Sequence, residues 1–303
     1  MQYGGFSLSA LDDPEISGPD GPDVRLALPA LAENVAVVRQ AVAGLADALE
    51  IDPALCADMK IAVTEACTNA VLHAYDGDIG PLEITMEAMP GRLMLSVRDR
   101  GPGFRPLPGE ADGAPLGFGL ALIASLADAF AIQGGAHGTE VQMAFDLDPD
   151  SGELESDAVA PASSQLGRAP APPPEGIVLI KARPGPLVAP VLGRVVSLLA
   201  ARVDFSMDRL SDAQLVSDAI AAHASAHAVD GHVTMTVHES ARSLDLRVGP
   251  LVGGGGEKLI RDTDMPGLGR LLEQLTDEIE TEPVPDAETT SAEMLHVRMA
   301  QLS

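Results

Sequence analysis

The sequence predicts an α/β fold, in which an α+β two-layer sandwich has a mixed, mostly antiparallel sheet with helices on one face. An amphipathic helical pattern at 32–49 places valines and leucine on one side and follows a short alternating strand. Two further alternating stretches, 82–87 and 92–97, are joined by a short turn and indicate a hairpin. Helices that each carry one apolar face need a sheet face to cover, and these strands supply it.

The second half of the chain repeats the first at a nearly constant offset of about 150 residues. Leu95–Val97 aligns with Leu246–Val248, and Gly117–Gly119 aligns with Gly267–Gly269. A shared offset over several elements predicts two tandem domains of one fold. We therefore expect four segments: a flexible tail (1–22), a first domain (23–147), a linker rich in Pro, Ala and acidic residues (148–175), and a degenerate second copy (176–303).

Local patterns assign the elements of the first domain in order. Asp52 and Pro53 have the residue types of an N-cap and a first helical position, so a long helix begins there. The other expected elements are an edge strand at Val24–Leu28, a hairpin turn at Met89–Arg92, a helix from Gly117 to about Phe130, and a last strand at Gly138–Phe145.

The same reasoning assigns the second domain. Gly253–Gly256 is expected to form a flexible loop, because no Lys-Ser/Thr pair follows it as in a phosphate-binding loop. The expected elements are a strand at 177–182, helices at 187–203 and 211–228, a hairpin of 232–237 with 243–248, a helix opened by Gly267–Leu272, and a strand at 294–299.

Composition narrows the functional classes. The chain has 303 residues, 45 acidic against 19 basic, and a formal net charge of −26. This charge repels phosphate backbones and anionic lipid, so we expect no nucleic acid and no membrane partner. Cys56 and Cys67 would lie too far apart along one helix to form a disulfide. We see no signal peptide and no membrane-spanning apolar run, and we expect a cytoplasmic protein.

The helix Lys60–Tyr75 carries the first candidate site. Glu65, Asn69 and His73 are spaced i, i+4 and i+8, so they share one stripe of that helix. A carboxylate can accept a proton, and an amide oxygen is a hard ligand suited to magnesium. One helix therefore presents a base and a metal ligand about one turn apart, although a plain polar surface stripe has the same spacing.

Two glycine motifs supply the other candidates. Asp99 ends a strand, and its carboxylate can accept a hydrogen bond from an exocyclic amine such as adenine N6. Gly101 and Gly103 allow the backbone to pass close to a flat ring. Gly117 and Gly119 precede a helix N-terminus, where free N–H groups attract phosphate. Each motif alone is weak, because such glycines are common in turns and in close packing.

The order of the motifs is more specific. E-x3-N on a helix, D-x-G-x-G after a strand, G-x-G opening a helix and Gly138–Thr139 before a strand resemble the four boxes of the GHKL ATPase superfamily. Within it, Thr64–Tyr75 and Val97–Phe104 look like the anti-sigma-factor serine kinase group in detail. The resemblance covers 24–146 strongly and 177–301 only as a decayed copy.

The resemblance implies a role for each matching residue. Glu65 would be the general base for a substrate serine, and Asn69 would bind a magnesium ion that bridges the phosphates of ATP. The remaining implied roles are adenine reading by Asp99 with Gly101, Gly103 and Thr139 around it, phosphate contacts by Gly117, Gly119 and His73, and sigma-factor contact by Arg39.

The resemblance also implies a function. The protein would be an ATP-binding anti-sigma factor, a serine/threonine kinase that phosphorylates a STAS-domain anti-anti-sigma protein. One departure is that the expected lid, Gly109–Leu116, is acidic and lacks the cation that transferred phosphate requires. Arg100, Arg105 or a partner would have to supply it. A nucleotide-gated protein-binding module without kinase activity is therefore the alternative.

The second copy has lost the key residues. Asp218 stands where Glu65 does, but Ala222 replaces Asn69, Pro250 replaces Asp99 and Gly193 replaces Arg39. We expect a half without nucleotide motifs that forms a pseudo-dimer within one chain, and a homodimer is left open. His223, His227 and His232 offer at most two ligands from one helix, so we expect no metal site there.

Two other classes fit less well. A histidine kinase catalytic domain would need a phosphoacceptor helix pair before residue 24. A gyrase- or MutL-like ATPase would need a transducer domain, whereas the second half aligns as a repeat.

Overall fold

The computed structural model describes residues 21–103, 118–135, 138–147, 176–265, 269–284 and 292–301. The chain divides into two compact units. The front unit comprises Met1–Arg39 and Ile51–Glu175, and the rear unit comprises Gln40–Glu50 and Gly176–Ser303.

In the front unit, five antiparallel strands pair in the order β1-β2-β3-β5-β4, and α2 lies against β3 and β5. Its elements, in chain order, are β1 (Val24–Pro29), α1 (Val35–Ala48), α2 (Pro53–His73), β2 (Pro81–Met89), β3 (Arg92–Asp99), α3 (Phe118–Leu126), β4 (Ala129–Gly135) and β5 (Gly138–Asp146). A short 3-10 turn, Ala32–Asn34, precedes α1, whose second half belongs to the rear unit.

Local chemistry explains where α2 begins. The Asp52 carboxylate accepts a hydrogen bond from the backbone N–H of Ala54 at 2.8 Å, and Pro53 occupies the first turn. Both features satisfy or remove N–H groups that a helix start leaves free. The predicted helix start is confirmed.

The hairpin of β2 and β3 positions the first site residue. The strands are joined by the two residues Pro90 and Gly91, and Gly91 has a φ of +73° that favours glycine. Burial alternates along β3, with Leu93, Leu95 and the following odd-numbered residues facing inward. Asp99, the last residue of the strand, therefore has its side chain on the covered face.

The third helix is shorter than predicted. It ends at Leu126, and Ala129–Gly135 forms β4, in which Phe130 pairs with Met143 and Ile132 pairs with Val141. The expected helix to about Phe130 is wrong. A short apolar run has no periodicity that separates a helix from a strand, and pairing with β5 decided this one.

The rear unit has its own five-stranded antiparallel sheet, in the order β6-β7-β8-β12-β11. Its elements, in chain order, are β6 (Ile177–Ala182), α4 (Val188–Arg202), α5 (Met207–His223), β7 (Val233–Ser240), β8 (Ser243–Val252), α6 (Gly255–Asp262), β9 (Asp264–Met265), β10 (Gly269–Arg270), α7 (Leu271–Leu275), β11 (Glu278–Pro283) and β12 (Ala292–Ala300).

Three rear elements differ from expectation. The helix expected to be opened by Gly267–Leu272 begins only at Leu271, because Gly269–Arg270 pairs with Asp264–Met265 as a short strand. The glycine run does not form a loop throughout, because a helix begins at Gly255 after Gly254 with a φ of +73°. Helix α5 begins at Met207, four residues early, because the Ser206 hydroxyl caps it by accepting the N–H of Arg209 at 3.3 Å. The last two patterns were set by turn chemistry rather than by apolar periodicity.

The predicted fold class is confirmed, because helices and antiparallel strands make up an α/β protein. Among the described helices, none combines the length and apolar character needed to cross a bilayer.

Candidate functional site

Helix α2 presents the predicted polar stripe at the border of the core. Glu65 and Asn69 are half-buried, while Ala62, Ala66 and Ala70 beside them are buried. His73 is exposed and is the last residue of the helix. The first two side chains are thus shielded from bulk solvent on one side and accessible on the other.

Helix α3 lies against this stripe through Gly119. A β-carbon added at Gly119 would lie 2.9 Å from Oε2 of Glu65 and 3.4 Å from Nδ2 of Asn69. The missing side chain therefore leaves the space in which the carboxylate and the amide sit. Gly117, the other residue of this motif, lies outside the described residues, as do Gly109–Leu116 and Arg105.

Asp99 is buried at the end of β3, and its carboxylate is held by backbone groups. Its Oδ1 accepts the N–H of Gly101 at 2.9 Å and the N–H of Thr139 at 3.1 Å. Burial raises the pKa of Asp99, while these hydrogen bonds and the neighbouring Arg98 act in the opposite direction. A buried carboxylate with fixed orientation is suited to accept a hydrogen bond from a ligand.

Close backbone contacts explain three glycines around Asp99. A β-carbon at Gly101 would collide with the carbonyl oxygen of Ala74 at the end of α2. One at Gly103, where φ is +79°, would collide with the carbonyl of Gly135, and one at Gly138, where φ is +123°, with that of Asp99 itself. Only glycine fits these positions, so the loop packs closely against the neighbouring backbone.

Helix α2 connects the two groups of residues. Asn69 contacts the Gly119 position, and Ala74, five residues later, contacts Gly101. At about 1.5 Å per residue, these points are roughly 7.5 Å apart along the helix axis. The structure thus brings Glu65, Asn69 and Gly119 together. It places the Asp99 loop nearby, against the C-terminal end of the same helix.

The front part of the chain is similar to known proteins. Residues 28–145 match the histidine kinase-like ATPase domain. The resemblance to the anti-sigma-factor kinase group is confirmed over a partial stretch, because relatives named serine-protein kinase RsbW match here. Those of Bacillus thuringiensis and Bacillus mycoides are each 41% identical over 81 residues, which is 27% of this chain and 51% of theirs.

The chain therefore spans about half the length of the curated relatives it matches. Among solved structures, the RsbU and RsbW domains of a Mycobacterium tuberculosis protein are 25% identical and cover 41% of this chain and 31% of theirs, with a TM-score of 0.34. This structural likeness is low, and the relationship rests on the sequence matches.

The ATPase-like domain contains an anchoring network that sequence reasoning missed. The hydroxyl of Tyr75 accepts the backbone N–H of Arg100 at 2.7 Å and donates to the carbonyl of Pro81. Glu83 forms ion pairs with Arg25 and, at 3.4 Å, with Arg100. The alternation of β2 gave no sign that its Glu83 is buried between two guanidinium groups.

This network bears on the missing lid cation. Arg100 was one expected substitute, but its guanidinium is 9% exposed and pairs with Glu83 on the sheet. A guanidinium that is paired in this way is poorly placed to stabilise the negative charge on the γ-phosphate during its transfer. Arg105 lies outside the described residues.

Magnesium fits the donor set of the ATPase-like domain. Mg2+ keeps several waters and is usually held by few protein oxygens together with substrate phosphates, so the half-buried amide of Asn69 would provide one oxygen donor of the hard type that it prefers. Within the described residues, no group of three His, Cys, Asp or Glu side chains could hold a metal by itself.

Arg39 and the cysteines complete the predicted residues. Arg39 is exposed on α1, as a partner-contacting side chain has to be. Cys67 is buried, which raises the pKa of its thiol to about 12, and Cys56 is half-buried near the other end of α2. Both thiols are free, as the spacing predicted.

Proposed function

We propose that the protein binds ATP and magnesium and acts as an anti-sigma factor and serine/threonine kinase of a partner-switching pathway. The observation that carries the proposal is the position of Gly119, which lies against both Glu65 and Asn69. Two motifs that are some fifty residues apart in the sequence thus meet where α3 packs against α2, next to the Asp99 loop. The names of the relatives matched over part of the front unit give independent support.

In the proposed binding mode, Asp99 accepts a hydrogen bond from the adenine amine, because its carboxylate is buried and oriented. Thr139, Gly101 and Gly103 line the base, and Gly117, Gly119 and His73 lie along the phosphates. Asn69 would hold the magnesium ion, which supplies positive charge to the phosphate oxygens.

In the proposed reaction, Glu65 takes the hydroxyl proton of a substrate serine as that oxygen bonds to the γ-phosphorus. The bond between the γ-phosphorus and the bridging oxygen breaks, and ADP leaves with that electron pair. Because Glu65 is only half-buried, a protein-borne hydroxyl can reach it.

The partners are a sigma factor, contacted by Arg39, and a STAS-domain anti-anti-sigma protein that accepts the phosphate. A net charge of −26 favours protein surfaces rich in Arg and Lys over nucleic acid or membrane. We also propose the four-segment domain division, a cytoplasmic location, and a rear unit that takes the place of a dimer partner. Its support is the repeated strand order described above.

A second candidate is a nucleotide-gated binding module without phosphoryl transfer. It is favoured by the engagement of Arg100 with Glu83, which leaves the described part of the site without an identified cation for the γ-phosphate. In that case ATP and ADP would control partner affinity through the lid.

Calorimetry with ATP and magnesium tests binding, and labelled ATP with candidate STAS proteins tests transfer. Asn69→Ala should weaken magnesium–ATP binding by at least tenfold, and Glu65→Gln should lower transfer by a factor of about 100 or more while ATP still binds. ATP binding without any transfer would select the non-catalytic module. Unchanged ATP binding in Asn69→Ala would remove both candidates.

A further inference from the structure

We propose that Tyr75 is a positioning residue whose hydroxyl sets the aim of the Asp99 carboxylate and thereby the selectivity for adenine. This inference rests on the proposed nucleotide site and adds a residue to which neither the motifs nor the comparisons assign a role. Tyr75 follows the last turn of α2, directly beside the D-x-G-x-G loop.

The phenol adds a bridge at the end of the β2–β3 ladder, just beyond the pair formed by Leu82 and Asp99. Its oxygen accepts the N–H of Arg100 at 2.7 Å and donates its proton to the carbonyl of Pro81 at the start of β2. Both contacts together require a neutral phenol, since a phenolate has no proton to donate. Burial raises the pKa of Tyr75 to about 12, so the phenol is neutral at physiological pH.

The ring itself is fixed in place. It lies on Gly80, where a β-carbon would collide with the ring atoms of Tyr75. The carbonyl of Gly80 accepts the N–H of Ala30 at 2.8 Å, so the residue beneath the ring is tied to the end of β1. The packing of the ring on Gly80 therefore fixes the side-chain rotamer of Tyr75 and with it the position of the hydroxyl.

The Arg100 N–H, which the Tyr75 hydroxyl accepts, belongs to the D-x-G-x-G motif that would contact adenine. Arg100 lies between Asp99, which accepts, and Gly101, whose N–H donates to Asp99. The backbone of Arg100 is fixed by Tyr75 and its guanidinium by Glu83. Without the hydroxyl, the Arg100 N–H would lose its partner, and the peptide next to Asp99 could turn to find another.

The rear unit shows the same connection made differently. At the offset that aligns Asp218 with Glu65, Ala228 takes the place of Tyr75, and its backbone forms a direct bridge to Leu251 of β8. The neighbouring Val229 N–H donates to the carbonyl of Pro250 at 3.0 Å. In the front unit, a phenol thus takes the place of this backbone bridge between the residues after the helix and the end of the third strand.

The test compares ATP with inosine triphosphate, in which an oxo group replaces the amine that Asp99 would read. We expect Tyr75→Phe to weaken ATP binding about tenfold in calorimetry and to leave inosine triphosphate binding nearly unchanged, so that the preference for ATP is lost. Thr263→Val is the matched control: it removes a buried hydroxyl of the rear unit, which donates to Ile260 O at 2.7 Å, and should alter neither nucleotide.

Asp99→Asn separates the possible failures. Loss of ATP preference in both Asp99→Asn and Tyr75→Phe supports the inference. Loss only in Asp99→Asn overturns it, as does an equal weakening of both nucleotides in Tyr75→Phe, which would indicate a merely structural role. Unchanged ATP binding in Asp99→Asn would overturn the proposed adenine site and the inference with it.

Fluorescence provides a second measurement should Tyr75→Phe fail to fold. The chain has two tyrosines and no tryptophan, so in Tyr3→Phe the emission comes from Tyr75 alone. Saturating ATP should change this emission and inosine triphosphate should change it less. Equal responses to the two nucleotides, or none, would contradict the inference.

Discussion

The front and rear units share a strand order and differ where the third strand ends. In the front unit β3 stops at Asp99 and gives way to the glycine loop. In the rear unit β8 continues to Val252, paired with Ala292 of β12. The sheet order depends on buried apolar residues and survives this change, whereas a ligand site depends on a few polar and glycine positions and does not.

A carboxylate of the rear unit occupies the N-terminus of α6. Glu293 is the second residue of β12, as Thr139 is the second residue of β5. Its Oε1 accepts the N–H of Gly256 at 2.6 Å in the first turn of α6. A carboxylate thus occupies the place where a helix N-terminus could bind a phosphate. The difference between the units therefore lies in replaced groups rather than in an altered sheet.

The largest expected effect compares the two acidic residues at matching helix positions. Glu65→Gln should lower phosphoryl transfer by a factor of about 100 to 10,000, the range for loss of a general base. Asp218→Asn, on α5 of the rear unit, should leave the rate unchanged. Initial rates of phosphate incorporation into the antagonist measure both. Comparable losses in the two variants would show that the rear unit takes part in the chemistry.

An exchange of the two second-position strand residues tests what a carboxylate does at this place in each unit. Thr139→Glu places a second carboxylate next to Asp99, and repulsion should weaken ATP binding about 100-fold, or about 2.7 kcal/mol. Glu293→Thr removes the acceptor of the Gly256 N–H and should cost about 1–2 kcal/mol in stability. It should create no ATP site, because Asp99 has no rear equivalent. Calorimetry measures ATP binding by both variants, and thermal unfolding measures their stability.

Much of the fold could be predicted because its signals are local. The Asp52–Pro53 helix start and the Pro90–Gly91 turn depend on neighbouring residues and appear as expected. The end of α3 and the strand after it did not, because Phe130 belongs to a strand only through pairing with Met143. Pairing between distant segments carries no local signature.

The site divides in the same way. Glu65 and Asn69 could be selected together because helical spacing places them on one stripe. The contact of Gly119 with both was implied only by the order of the motifs. The hydroxyl of Tyr75 could not be assigned, because its partners lie 6 and 25 positions away and meet only in the folded sheet. Tertiary hydrogen bonds of this kind have no spacing rule.

Alanine substitutions at Gly119 and Gly193 compare the two units through a smaller expected effect. In Gly119→Ala the new β-carbon would lie 2.9 Å from Glu65 Oε2, so the carboxylate must shift by a few tenths of an ångström. We expect about tenfold slower transfer with stability nearly unchanged, because a flexible side chain yields easily. In Gly193→Ala the nearest atom is Asp218 Oδ1 at 3.6 Å, an ordinary contact.

Because Gly193 lies inside α4, alanine there should stabilise the rear unit by about 0.5–1 kcal/mol through helix propensity. Rates and unfolding curves of the two variants would separate the effects. A rate loss in Gly193→Ala equal to that in Gly119→Ala would refute the assignment of the site to the front unit.

The smallest expected effect is on stability, and its sign differs between two aspartates. Burial raises the pKa of Asp99, so the folded state binds a proton more tightly than the unfolded state, and stability falls as pH rises from the ordinary value of 3.8 through the raised one. The pKa of Asp245 in β8 is lowered, mainly by a hydrogen bond from His296, so its stabilisation is present above pH 3.8 and is lost on acidification.

At pH 7 Asp99→Asn should therefore raise Tm slightly while it abolishes ATP binding, since asparagine can still accept the N–H groups of Gly101 and Thr139. Asp245→Asn should lower Tm by about 2–4 °C, the effect of about 1 kcal/mol. When both variants are scanned from pH 2 to 8, the Tm difference of Asp99→Asn should change above pH 3.8 and that of Asp245→Asn below it, with opposite slopes. A lower Tm for Asp99→Asn at pH 7 would mean that the ionised carboxylate stabilises the loop. It would contradict the view that burial of this charge lowers folding stability and is kept for ligand binding.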